Sequence, residues 1–193
     1  MILFFYPELK TFLDEKVQKS IEDKLKKIDS KIDFENLDQF NKKRHKGEND
    51  SYICSLIRED SVEEFIAHVN RKNISLSAKI KPSIYETNSF LIKNEPTLIE
   101  YAAFFGSIQI IQYLKYYKVP LTPSLWIYAI HSKNAELIHF LEENKVKPEQ
   151  NKKAKKEPFE DVFIESIKCH HNDIALYIKD SLFKKNTDLN EYI

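Results

Sequence analysis

The residues best suited to chemistry in this chain are a short run of cysteine and histidine near its C-terminal end. Cys169 is followed directly by His170 and His171, and Asp173 lies two residues further on. Thiolate, imidazole and carboxylate groups are the usual zinc ligands of proteins. Adjacent positions of a helix point about 100 degrees apart, however, so these neighbours cannot converge on one ion. Because no second Cys or His pair has zinc-type spacing, the sequence predicts no metal site and no cofactor.

Two further histidines, His131 and His139, are candidate general bases. A catalytic dyad also needs a nucleophile and a group that orients the base, and the sequence displays neither beside these histidines. A hydrolase would need an enclosed pocket that joins His131 or His170 to a nucleophile. We therefore predict that the protein is not an enzyme, and we keep a divergent hydrolase as an alternative.

Composition restricts the remaining functions. Thirty basic and thirty acidic residues cancel, so no overall charge draws the chain to nucleic acid or to an anionic membrane. No stretch approaches the ~20 apolar residues of a membrane span. Gly47 and Gly106 are the only glycines, which argues against the glycine-rich loops that cradle phosphates. Two cysteines imply no secreted disulfide framework and predict a reducing compartment, the cytoplasm.

A basic run at Lys152–Lys156 contains four lysines and one alanine. Such a run can be a nuclear localisation signal or a patch that contacts phosphates. It lacks interleaved aromatic residues and an accompanying basic face, which favours a solvated loop. The predicted location is the cytoplasm, with the nucleus added if this run acts as a signal.

The elements that position these residues begin with an amphipathic pattern at the N-terminus. Apolar residues recur at spacings of four and three and predict one long helix from Pro7 to about Ile32. Its last part, with Ile21, Leu25, Ile28 and Ile32, follows a heptad seam, so the helix could pair as a coiled coil or pack on the first of the helix pairs that follow it. The seam is shorter than three heptads, which favours packing on that first helix pair. Polar residues 41–50 predict a linker, so the N-terminal segment spans residues 1–50.

Paired helices recur from residue 51 onward, and the clearest pair is residues 97–119. Ala102 and Ala103 lie on the apolar face of a first helix, Gly106 ends it, and an aliphatic period restarts at Ile108. A helical hairpin of this size cannot bury its own apolar face and needs a stacked neighbour. Similar pairs are predicted at about 51–74, 124–146 and 159–180, within one domain of residues 51–193.

Three capping signals accompany these helices. Ser61 with Glu64, and Thr97 with Glu100, have the spacing of a capping box. Thr122 can cap the following helix, with Pro123 in its first position.

The stretch 97–119 resembles an ankyrin repeat. The ankyrin order of Thr-Pro-Leu-His, a Leu-Ala-Ala step, Gly-His and a paired aliphatic helix corresponds here to Thr97, Ile99, Tyr101-Ala102-Ala103, Gly106-Ser107, Ile110-Ile111 and Leu114. Among ankyrin-type families, it looks most like the diverged ones expanded in protists, which are recorded mainly as domains of unknown function. The histidine after Thr-Pro-Leu is replaced by Glu100, Ile127 and Ile164, so the threonine–histidine hydrogen bonds between ankyrin repeats are expected to be absent.

This resemblance implies an all-α, ankyrin-like solenoid of stacked helix-turn-helix repeats, capped by the N-terminal helix. It implies a non-enzymatic protein–protein interaction module whose partner is another protein. In ankyrin-type arrays the two positions after the Ala-Ala step face the concave, partner-binding side, and they correspond to Phe104, Phe105, His131, Ser132, Lys168 and Cys169. The two phenylalanines could form an exposed patch, or one of them could pack into the neighbouring hairpin. The alternative function is a structural subunit that forms homo-oligomers through the N-terminal helix.

Overall fold

The computed structural model describes residues 3–148 and 158–183. These residues form twelve α-helices: Tyr6–Leu9 (α1), Glu15–Ile28 (α2), Asp38–Lys46 (α3), Tyr52–Arg58 (α4), Val62–Lys72 (α5), Ser89–Asn94 (α6), Leu98–Phe105 (α7), Ile108–Tyr116 (α8), Leu125–Ser132 (α9), Ala135–Glu143 (α10), Glu160–Lys168 (α11) and Asn172–Tyr177 (α12). A short 3-10 helix follows α1 and a π-helix follows α12. Within these ranges there is no strand, which confirms the predicted all-α class. The run Lys152–Lys156 lies outside the described residues.

None of the helices in the described ranges has the length and apolar composition of a membrane span.

The chain divides into two compact units. The first comprises Met1–Ser55 with Lys81–Glu95, and the second comprises Leu56–Ile80 with Pro96–Ile193. The segment from residue 75 to 94, which the sequence pattern left unassigned, contains α6 and contributes to both units.

The first unit shows that the single helix predicted from Pro7 to Ile32 is wrong. The chain instead forms α1, a 3-10 turn at Lys10–Phe12, and a new helix that begins at Glu15. Asp14 causes this restart, because its extended backbone and its carboxylate, which accepts a 2.9 Å hydrogen bond from the Val17 N–H, form an N-cap. The prediction from apolar periodicity alone therefore merged two helices, which the capping aspartate separates.

The predicted linker over residues 41–50 also needs correction. Helix α3 continues through Lys46 and ends at Gly47, whose positive φ of 66° forms a left-handed C-cap. Only Phe40 of this helix is buried, and four basic residues occupy its last turn. Its polar composition is thus that of an exposed helix face and not of a loop.

The core of the first unit contains residues from the N-terminal helices and from the segment before α6: Tyr6, Ile21, Leu25, Ile32, Phe40 and Tyr85. Three positions of the predicted seam, Ile21, Leu25 and Ile32, are therefore buried within this unit, whereas Ile28 is 50% exposed. Three of the four seam positions thus pack within the first unit, and the expected packing on the first helix pair stays a prediction.

The second unit contains successive helix pairs, and the turn within each pair contains a residue in a left-handed conformation. The residue at each turn has a positive φ: Asp60 (49°), Gly106 (73°), Lys133 (54°) and His170 (58°). After three of these turns, the next residue donates its backbone N–H to a carbonyl five residues earlier, from Ser61 to Leu56, from Ser107 to Ala102, and from His171 to Ser166. These are Schellman-type helix ends, in which a left-handed residue lets the chain reverse sharply.

Successive pairs contact each other in chain order. Helix α7 packs against α9, and α9 packs against α11. The second helices are linked by side chains: the ring centroids of Phe65 and Tyr113 lie 6.1 Å apart, and the Lys115 ammonium lies 5.2 Å from the ring of Phe140. The Tyr177 hydroxyl donates to Glu142 on α10. Trp126, Leu114 and Leu137 of these helices are fully buried.

Of the three predicted caps, the structure confirms one. Thr97 and Glu100 form a complete capping box at the start of α7. Ser61 makes no side-chain cap, because its ψ of 76° differs from the extended conformation of a capping residue. Thr122 does not cap α9, which begins at Leu125, and its hydroxyl instead lies 2.8 Å from that of Ser124.

Candidate functional site

Four of the six predicted partner-binding residues form a chain of contacts, in which each residue touches the next. We call Phe104, Phe105, His131 and Cys169 the helix-end row, because they lie at the C-terminal ends of α7, α9 and α11. Each of the four is partly buried. The row thus spans three helix pairs on one side of the second unit.

The phenylalanines of the row have different neighbours. The Phe104 ring stacks on the imidazole of His131, with centroids 5.0 Å apart and planes inclined by 24°. The Phe105 ring lies 4.8 Å from the ring of Tyr101, and the Arg58 guanidinium lies 6.0 Å from its centroid. Arg58 also donates a 2.9 Å hydrogen bond from Nη1 to the Tyr101 hydroxyl. Each ring therefore packs partly against a neighbouring pair and keeps part of its surface exposed.

His131 joins α9 to α11 through both of its ring nitrogens. Nδ1 lies 3.5 Å from Cys169 Sγ, and Nε2 lies 3.2 Å from Glu165 Oε1. The side chains of His131 and Glu165 are 16% and 17% exposed. A thiol, an imidazole and a carboxylate are thereby brought together.

Burial governs the protonation of this group. It lowers the pKa of His131, and the attraction of the Glu165 carboxylate opposes it only in part. Burial and the same carboxylate raise the pKa of the Cys169 thiol, and Lys168 opposes them. At neutral pH the site therefore holds a neutral imidazole and a protonated thiol.

The other two predicted residues have local roles. The Ser132 hydroxyl donates to the Ala129 carbonyl at 2.7 Å and accepts from the Asn134 N–H, so it belongs to the turn. Lys168 is exposed and forms a 3.1 Å ion pair with Glu165 Oε2.

Hydrogen bonds between turns hold the helix ends in register. Asp60 accepts 3.0 Å bonds from the Gln109 and Ile110 N–H groups, and it thereby caps α8 from the preceding pair. In addition, a side chain of each later turn bonds to a backbone carbonyl of the preceding pair: Ser107 to Ile57 (2.5 Å), Asn134 to Gly106 (3.2 Å) and His171 to Ile130 (2.8 Å).

The geometry bears on the hydrolase alternative. His131 does lie beside a thiol and a carboxylate, as a nucleophile, base and orienting group would. The nucleophile would have to be a thiolate, however, and the surroundings of Cys169 favour the thiol. His139 lies on α10, where it contacts the Tyr177 ring and lines an apolar cavity of about 210 Å³. It is not part of the helix-end row and does not contact Cys169.

Glu165 is the member of this group that the sequence pattern did not single out. It precedes Cys169 by four residues, so both lie on one face of α11. This four-residue spacing is the feature of the sequence that could have indicated Glu165 as a neighbour of Cys169. Its partner His131 lies 38 residues before Cys169, and only the packing of α9 on α11 brings it close.

Comparison with family models, with curated proteins and with solved structures found no match to this chain.

Proposed function

We propose that the chain is a non-enzymatic protein–protein interaction module, and that its second unit is a short ankyrin-like solenoid. Support comes from the positive φ shared by its turns and from the packing of successive pairs in chain order. The hydrogen bonds between turns act between nearest neighbours, as in a stacked array.

The single observation that carries this proposal is the continuity of the helix-end row. Phe104 contacts His131 of the next pair, and His131 contacts Cys169 of the pair after that. Partly exposed aromatic rings with adjacent polar groups are typical of protein interfaces, where a few such side chains supply most of the binding energy. The row would therefore bind one partner across three helix pairs.

A capture experiment tests this function. The tagged chain and its Phe104→Ala and Phe105→Ala variants would be incubated with lysate of the source organism, and retained proteins would be quantified by mass spectrometry. Tyr116→Ala is the matched control, because Tyr116 is an aromatic residue that is 76% exposed at the end of a second helix. We expect the phenylalanine variants to lose a specific partner that the wild type and the control retain.

Melting temperatures of the same variants separate binding from folding. The proposal requires that Phe104→Ala weakens capture far more than it lowers the melting temperature. The proposal would be overturned if both phenylalanine variants captured the partner like the wild type and Tyr116→Ala lost it. That result would place the binding surface on the second helices of the pairs.

Homo-oligomerisation is the second candidate function, and exposed apolar residues on α2 favour it. Val17 and Ile28 are 40% and 50% exposed and lie on the same side of this helix. Replacing both with lysine changes neither of the buried residues of this helix, Ile21 and Leu25. Light scattering that finds a larger species in the wild type and a monomer in the variant would support it, whereas a monomeric wild type would exclude it.

A further inference from the structure

The group formed by His131, Glu165 and Cys169 has the composition of a metal site. Glu165 and Cys169 lie one turn apart on α11, and His131 reaches them from α9. One donor atom from each residue can be chosen such that all three lie within 4.8 Å of one another. Two helices therefore present nitrogen, oxygen and sulfur donors to one small volume.

We propose that His131, Glu165 and Cys169 bind one Zn²⁺ ion. Imidazole and thiolate are ligands that zinc prefers, whereas Mg²⁺ and Ca²⁺ need sites built almost wholly from oxygen. The proposal goes beyond the binding of a protein partner, because zinc binding requires no partner.

The distances suit a tetrahedral ion. Zinc–nitrogen and zinc–sulfur bonds of about 2.0 and 2.3 Å place two ligands about 3.5 Å apart. His131 Nδ1 and Cys169 Sγ are separated by 3.5 Å. Glu165 Oε1 lies 3.2 Å from Nε2, so the Glu165 side chain must change its rotamer for an oxygen to reach an ion held by Nδ1 and Sγ. Three protein ligands leave one position of the ion for water.

The surroundings of the site favour a cation. His131 lies in the last turn of α9, and Cys169 is the C-cap residue of α11. The C-terminal end of a helix carries partial negative charge, so two helix ends and the Glu165 carboxylate attract the ion. The Lys168 ammonium, 3.1 Å from Glu165 Oε2, opposes part of this attraction. Coordination replaces the thiol proton of Cys169, which is released to the buffer.

Titration of the untagged, chelator-stripped chain with Co²⁺ tests the proposal under anaerobic, reducing conditions. We expect one Co²⁺ per chain, the intense visible bands of a tetrahedral site, and a near-ultraviolet thiolate-to-cobalt charge-transfer band that Zn²⁺ abolishes by displacement. His131→Ala and Cys169→Ser should each weaken binding by at least ~100-fold, and Glu165→Gln by about 10-fold.

Matched controls identify the ligands. His139→Ala and His170→Ala remove exposed histidines on neighbouring elements, and Cys54→Ser removes the buried cysteine of α4. These three variants should bind Co²⁺ like the wild type. A missing charge-transfer band, unchanged affinity in His131→Ala or Cys169→Ser, or loss of binding in His170→Ala would each overturn the proposal.

A second measurement needs no substitution, which guards against variants that fail to fold. Zn²⁺ should slow alkylation of Cys169 in the wild-type chain by at least ~10-fold, because a coordinated thiolate is shielded from the reagent. Peptide mapping measures modification at Cys169 separately from Cys54. An alkylation rate at Cys169 that saturating Zn²⁺ leaves unchanged would contradict the assignment.

Discussion

His131 is the residue through which three helix pairs meet. Its ring stacks on Phe104, and its two nitrogens face Cys169 and Glu165. The sequence pattern placed His131 and Cys169 on the same side of the molecule only through the resemblance to ankyrin repeats. Direct contact between them depends on how closely α9 approaches α11, which helical periodicity cannot specify.

The contact between Phe104 and His131 should be measurable as a coupling energy. We expect Phe104→Ala and His131→Ala to be non-additive in unfolding free energy by about 0.5–1.5 kcal/mol, the range for a stacked ring pair. Chemical denaturation of the wild type, both single variants and the double variant gives this value. Additive losses would mean that the two rings do not interact in solution.

The protonation of His131 should make stability depend on pH. Its pKa in the folded chain lies below the ordinary value of about 6.5, so the unfolded chain binds the proton more tightly. The contribution of the neutral imidazole is present above pH ~6.5 and is lost as pH falls through the folded pKa. Melting temperatures between about pH 7.5 and 5 should therefore fall less steeply in His131→Gln than in the wild type. Parallel pH profiles would show that His131 titrates as an exposed histidine.

At the scale of single elements, most helix pairs could be predicted and several helix ends could not. The aliphatic period and Gly106 predicted α7 and α8, and Thr97 with Glu100 predicted the box that begins α7. The same spacing at Ser61 gave a wrong prediction, because capping also requires an extended backbone at the capping residue. Asp14 was an unrecognised cap, and it divided a pattern that periodicity alone presents as continuous.

Substituting the first residue of each of the two predicted capping boxes should lower the unfolding free energy of the protein by different amounts. Thr97→Ala deletes the hydroxyl that accepts the Glu100 N–H, and it should lower the unfolding free energy by about 1 kcal/mol. Ser61→Ala, at the matched position without a side-chain cap, should cost less than about 0.5 kcal/mol. Denaturant titration of both variants measures the difference. Equal losses would contradict the assigned caps.

At the scale of the whole molecule, the order of contacts in the second unit follows the order of the chain. Contact between neighbouring helix pairs was expected, because a helix pair cannot cover its apolar face alone. The stacked repeat array itself stays a prediction. The bonds that join the turns could not be predicted, since Asp60 caps a helix that begins almost fifty residues later. The composition of the first unit could not be predicted either, because its core includes Tyr85, which comes from a segment without helical periodicity.

The cap supplied by Asp60 should couple neighbouring pairs. Asp60→Gly removes the two bonds to the α8 N-terminus but permits the positive φ of the turn, and it should lower the unfolding free energy by about 1–2 kcal/mol. Lys133→Gly changes the equivalent turn, where φ is also positive, and should be neutral or slightly stabilising. A loss in Lys133→Gly as large as that in Asp60→Gly would attribute the effect to glycine itself.

The central claim is that one surface, the helix-end row, binds a protein partner across three helix pairs. Amide chemical-shift mapping of the isotope-labelled chain with the captured partner tests it most directly. We predict that the shifts concentrate at the C-terminal ends of α7, α9 and α11, around Phe104, His131 and Cys169. Shifts confined to α8 and α10, or to the first unit, would contradict the claim.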